Sequence, residues 1–192
     1  MAVKTFTNET LSASDTNAYL ANSGLVYVKG QTIGNGVTSQ VISSCFSGTY
    51  DAYRVVISNM IMSDTTYGNI VLVKMHDGTN PASSAYNYGI IRVDLSNGVV
   101  SAQYGRSQTT GVIVGTGTGD KFGIGFDVIN PNIASHTLFN GIGNCNDTTG
   151  YAGSGSGMHQ ASTSYTGLQL LVNSGTMTGG TIIVYGYRYG TT

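Results

Sequence analysis

From Leu25 onward, apolar and polar residues alternate over short stretches, the pattern of strands with one buried face. "LVYVK" (25–29) and "VTSQVIS" (37–43) come first, separated by the turn-rich "GQTIGNG". "YRVVISNMIM" (53–62) and "NIVLVKMH" (69–76) flank "SDTTYG", which reads as a hairpin loop. "YGIIRVDL" (88–95) meets "VVSAQYG" (99–105) across "SNG", a second hairpin signal. In "KFGIGFDVINP", Phe122, Ile124, Phe126 and Val128 fall on one face, with Gly123, Gly125 and Asp127 on the other. Glycine inside a strand marks close approach of another backbone. "SHTLFNG" (135–141), "MHQASTS" (158–164), "LQLLVN" (168–173) and "TIIVYGYRYG" (181–190) complete the strands. Residues 77–84 read as a polar loop, and 144–160 as one long Gly- and Ser-rich loop, exposed or lying on a partner. About ten short strands, with turn signals roughly every 8–12 residues, predict an all-β, antiparallel sandwich with the jelly roll as leading candidate. Strand–helix alternation and a repeat of fixed period are both missing, which argues against α/β, propeller and solenoid architectures.

The residues before Leu25 follow a different rule. Ser12 followed by Asp15 is a capping-box-like helix start, Leu11 is placed as a staple, and Gly24 is a natural stop. A helix this short is marginal in water and needs a surface to dock on. The expected organisation is therefore a helical arm at 1–24 and a jelly-roll-like domain at 25–192.

Composition narrows the function. Charged residues make up 9% of the chain, against roughly 25% in ordinary globular proteins. Their place is taken by polar, uncharged residues, including 28 Gly. A net charge of −1 with 13 Tyr and recurrent Val and Ile runs points to a folded chain rather than a disordered one. Little charge means little repulsion between copies, so an oligomer or assembly component is expected. The eight Lys and Arg are scattered singly, which argues against nucleic acid. No hydrophobic run reaches transmembrane length, and the start of the chain lacks an apolar signal-peptide core. Synthesis in a cytosol follows, with Cys45 and Cys145 as buried free thiols rather than a disulfide.

Candidate chemistry is sparse. His76, His136 and His159 show no zinc spacing and read as surface or loop histidines. "GSGSG" (153–157) has Gly155 where a nucleophile elbow needs Ser. Asp51, Asp64, Asp94, Asp120 and Asp127 stand apart, and there is no Trp to stack a sugar beside an acid pair. No catalytic residue, cofactor or metal is expected. Tyrosine is the enriched side chain. Tyr185, Tyr187 and Tyr189 share one face of the last strand, and Tyr50 and Tyr53 frame "TYDAYR". These five are candidates for an oligomer or partner interface, since Tyr suits a surface apolar at one end and wet at the other. Ordinary sheet packing explains them equally well, and a carbohydrate-binding ledge is a third reading.

Two stretches carry a further signal. The opening "VKTFTNETLSASDTNAYLANSGLVYVKGQTIG", through Phe6, Glu9, Leu11, Ala13, Ser14, Asp15, Asn17, Tyr19 and Leu20, is similar to the phrase F-x-x-G-E-x-L-T-A-S-D-V-N-x-Y-L and so resembles virion proteins of tailed bacteriophages. Asn8, Ser12 and Thr16 depart from it. "CFSGTYDAYRVVISNM" resembles a second signature, F-S-x-T-Y-D-x-Y-R-I-x-I, and the ending "SGTMTGGTIIVYGYR" agrees with it. The resemblance implies a virion structural protein without catalytic residues, whose arm, through Phe6, Leu11, Asp15, Tyr19 and Leu20, lies on a neighbouring subunit. Two roles follow. One is a capsid cement or decoration protein, a homo-oligomer, expected to be a trimer, bound to the major capsid protein on the head surface. The other is a tail-fibre or receptor-binding module fixed to tail proteins and touching host glycans through loops 77–88 and 144–160. An enzyme such as a glycan depolymerase ranks behind both. Neither nucleic acid nor membrane is expected as a partner.

Overall fold

The computed structural model describes residues 24–63, 70–115, 122–145 and 150–188. The expected arm helix and Tyr189 lie outside them, as do Asp64 and Asp120. The described residues form strands and no helix. In chain order the strands are β1 (Leu25–Thr32), β2 (Ser39–Ile42), β3 (Ala52–Met62), β4 (Ile70–His76), β5 (Tyr86–Asp94), β6 (Val100–Gln108) and β7 (Gly111–Gly115). There follow β8 (Phe122–Ile129), β9 (Thr137–Cys145), β10 (Tyr151–His159), β11 (Gly167–Val172), β12 (Met177–Thr178) and β13 (Thr181–Tyr187).

They build two antiparallel sheets in a sandwich-like arrangement. A nine-stranded sheet runs β1-β13-β3-β8-β9-β10-β5-β6, with β12 beside the end of β3, and a four-stranded sheet runs β2-β11-β4-β7. The chain changes sheet repeatedly: β1, β3, β8 and β13 lie in the large sheet, and β2, β4, β7 and β11 in the small one. Two hairpin additions, β5–β6 and β9–β10, widen the large sheet beyond β8.

Alternation explains the core. Tyr53, Val55 and Ile57 of β3, Ile124, Phe126 and Val128 of β8, and Ile182 and Val184 of β13 all turn inward. Val71, Val73 and Met75 of β4, with Leu168 and Leu170 of β11, face them from the small sheet. Each such side chain contributes roughly 1.5–3 kcal/mol on burial. The expected inward set of β8 is thus observed for Ile124, Phe126 and Val128, and Gly123 and Asp127 take the outer side.

Four local expectations need correction. First, β3 and β4 are not hairpin partners, because they lie in opposite sheets. Both carry an apolar face directed at the same core, and periodicity alone does not say whether two such strands pair edge to edge or face each other. Second, the region read as a loop at 144–160 contains β10, paired along its length with β5 and β9. Its inward Gly155 has a physical reason: a Cβ there would run into the carbonyl oxygen of Ile113 in β7. Third, in "MHQASTS" only Met158 and His159 are strand residues. Fourth, Gly125 of β8 marks the approach of a side chain rather than a backbone: the space above it is filled by the guanidinium of Arg54.

The β5–β6 hairpin forms as expected, with Val93 opposite Val100. The Asp94 carboxylate accepts hydrogen bonds from Ser96 N (2.9 Å), Ser96 Oγ (2.6 Å) and Asn97 Nδ2 (3.0 Å), and Gly98 takes φ 73°. The buried aspartate thus serves the turn, an Asx arrangement that fixes the hairpin register.

Candidate functional site

The tyrosines separate into two groups. Tyr53 is fully buried, its hydroxyl accepting from Ser47 N and donating to Ser47 O, both at 2.8 Å. Its ring packs between Phe46, 4.8 Å away, and Tyr50, 5.7 Å away. Tyr50 lies half-buried over Gly186, where a Cβ would collide with its ring. As an interface candidate, Tyr53 is corrected to a core anchor: the chain places it on the inward phase of β3. Tyr50 closes the same end of the core.

Tyr185 and Tyr187 instead share the outward face of β13, half-buried, as the alternation predicts. Tyr185 stands opposite Tyr27 of β1, ring centroids 6.3 Å apart and edge to face. Tyr27 is 63% exposed. The sequence reading missed it because it is one tyrosine in a short first strand; only the β1–β13 pairing brings it beside Tyr185. Across β13, Tyr185 also stands opposite Arg54 of β3, and Arg54 opposite Asp127 of β8. Arg54 Nη1 and Asp127 Oδ1 form an ion pair at 3.2 Å, and Tyr187 Oη donates to the same oxygen at 2.7 Å. Both charged side chains are about a quarter exposed, so the pair adds at most ~1 kcal/mol of stability. Its main effect is to neutralise the centre of the face.

The register extends this face across the hairpin additions. Gly125, Ile142, Ser154 and Ile91 form one cross-strand row, and Asp127, Asn140, Ser156, Gly89 and Tyr104 form the next. Ile91 is 59% exposed and Ile142 62%. One side of the large sheet therefore presents tyrosines at the β1–β13 end and isoleucines interleaved with Ser, Gly and Asn at the other. Exposed apolar positions gathered on one face, rather than scattered singly, mark an interaction surface.

The other candidate chemistry is structural. Cys45 is buried, and burial pushes its thiol up to about 12. His136 is exposed, but His76 and His159 are buried at strand ends, against the expectation of surface histidines. His76 Nδ1 accepts from Gly78 N at 3.0 Å. His159 Nδ1 lies 3.3 Å from Tyr165 Oη, with the Tyr86 ring 4.4 Å away. Desolvation lowers the His159 pKa below its usual value. Tyr86 Oη accepts from Met75 N at 2.7 Å, and burial raises its pKa. Among the described residues, no three His, Cys, Asp or Glu side chains gather as a metal site.

No protein-family model and no curated protein matches the chain. Among solved structures it is similar to CB05 of A. japonicus, at 11% identity and TM-score 0.33, over 94% of this chain and 29% of that one. It is similar also to the E230A fructofuranosidase of Schwanniomyces occidentalis, at 9% identity and TM-score 0.33, over 87% and 35% respectively. A third is the CBM2 module of the evolved Dit of Lactobacillus casei BL23 phage J-1, at 6% identity and TM-score 0.24, over 88% and 79%. The chain thus spans about a third of the first two. At these scores the likenesses carry no functional argument.

Proposed function

We propose that this chain is a non-enzymatic structural protein of a tailed-bacteriophage virion, acting as a cement or decoration protein on the head. The observation that carries the reading is the outward face of the nine-stranded sheet, where Tyr27 and Tyr185 pack edge to face beside the neutralised Arg54–Asp127 pair. Such a surface, aromatic and without net charge, suits burial against another subunit. The strand order supports it: β1-β13-β3-β8 over β2-β11-β4-β7 is the interleaving of a jelly roll, a fold used in viral capsid domains. The resemblance of Phe6 to Leu20 to phage virion proteins supplies the attachment arm, and the paucity of charge favours a homo-oligomer, proposed as a trimer seated on the major capsid protein. The mechanism is binding energy: burying the tyrosine end across coat subunits resists the outward pressure of packaged DNA.

A second reading, a tail-fibre or receptor-binding protein, is favoured by one observation: the far half of the same face is a depression in which Asn140, Ser154 and Ser156 stand among Ile91 and Ile142. Imaging intact virions with labelled protein tests the choice. Label spread over the head in many symmetric copies is expected; label confined to the tail would move the assignment to the second reading, and absence from virions would overturn both.

A further inference from the structure

Between β6 and β3 the outward face of the large sheet is not flat. Three depressions of about 580, 650 and 620 Å³ follow one another across it. The first two share Gly89, Asn140 and Ser156, and the second and third share Arg54 and Ile142, so they form one trough. It runs obliquely, stepping along β9 from Leu138 to Asn144 and along β10 from Met158 to Ala152 while it passes from the β6 side to the β3 side of the sheet, an extent across the strands of about 24 Å.

We infer that this trough binds an extended, uncharged oligosaccharide lying obliquely over the strands. Its length suits a chain of several sugar rings rather than a compact metabolite. Its floor is open where Gly89, Ser154 and Ser156 occupy outward positions, which lets a ligand approach the backbone there, whereas Gly125 is covered by the guanidinium of Arg54. Hydroxyl and amide groups stand ready along it: among the described residues, the side chains of Asn140, Ser154 and Ser156 have no hydrogen-bond partner. Sugar hydroxyls both donate and accept, so they satisfy such groups, whereas an apolar protein surface laid over them would leave them unpaired at a cost. Exposed Ile91 and Ile142 offer apolar walls for the C–H faces of the rings. Tyr104, 82% exposed, stands opposite Gly89, so no cross-strand side chain covers its ring and it is free to stack.

Charge selects the class. Among the described residues that line the trough, the charged ones are Arg54, compensated by Asp127 beside it, and Arg106, at the far rim near Tyr104. A neutral glycan meets a single uncompensated charge there, Arg106 at the rim, while an acidic one finds no cluster of cations. The site would serve a head protein and a tail protein alike, so it does not depend on the location proposed above.

The test uses the purified full chain on a printed array of neutral and acidic glycans, followed by calorimetry on the best-bound oligosaccharide. A neutral glycan is expected to bind. Tyr104→Ala, which removes the stacking ring, and Ser154→Trp, which fills the middle of the trough, should each weaken it by about tenfold or more. Tyr27→Ala, at the opposite end of the sheet, should leave it unchanged. Binding to no neutral glycan, equal or tighter binding to acidic ones, or insensitivity to both trough variants would overturn the inference. Loss of virion attachment by Ser154→Trp without any glycan binding would assign the trough to a protein contact instead. Because binding is read on isolated protein and location on virions, either proposal can fail alone.

Discussion

His159 shows how one residue's environment sets a measurable property. It closes β10 beside Tyr86 and Tyr165 in the core, and desolvation favours its neutral form. Its folded pKa is lowered, so below its usual value of 6.5 the unfolded chain binds a proton that the folded chain refuses. Stability therefore rises with pH across the window from the lowered folded pKa up to about 6.5 and is fully present above it. The urea midpoint of the wild type should fall as pH is taken from 7.5 to 5. In His159→Gln this part of the fall should be missing, with His76 and His136 unchanged in both proteins. Identical pH slopes in the two would mean that His159 is not the titrating group. Nothing in "SGMHQAS" announces this role: the histidine is buried by Tyr86 at the start of β5, far away in sequence, and by Tyr165 in the loop that follows β10.

At the scale of elements, β10 separates what the sequence discloses from what it conceals. Strands such as β3, β8 and β13 carry bulky inward residues, and period-two alternation finds them directly. Tyr185 and Tyr187 were placed on their shared outer face by the same rule. β10 alternates Gly with Ser and carries no β-branched residue, the composition of a loop. It is a strand because it is held on both sides by β5 and β9, and because the small inward positions let β7 settle against it. That requirement belongs to the packing of two sheets and is invisible one strand at a time. It has a direct consequence. Gly155→Ala should destabilise the domain by about 1–3 kcal/mol, since the new methyl must displace the Ile113 backbone. Ser156→Ala, one residue along and facing solvent, should stay within about 0.5 kcal/mol of wild type. Urea denaturation of both variants checks this, and equal stabilities would show that β7 yields without cost. The same logic explains why the candidate site was only half legible. Its tyrosines announce themselves, but the trough is made of residues with little sequence signal, assembled from β5, β8, β9 and β10 only when the two hairpins join the sheet.

At the scale of the whole molecule, the two faces of the sandwich are unequal. The four-stranded sheet turns Leu72, Lys74, Gln169 and Leu171 outward, all half-buried, whereas the nine-stranded sheet exposes Tyr27, Tyr104, Ile91 and Ile142. The proposed division of labour gives the β1–β13 end to the virion and the β6 end to a glycan. Hydroxyl-radical footprinting of the protein on intact virions and free in solution tests the central claim most directly. On this division of labour Tyr27, Tyr185 and Tyr187 are oxidised several-fold less on the virion, with Leu72 and Leu171 oxidised equally in both. Protection of Leu72 and Leu171, with the three tyrosines unchanged, would contradict it and place the virion contact on the smaller sheet.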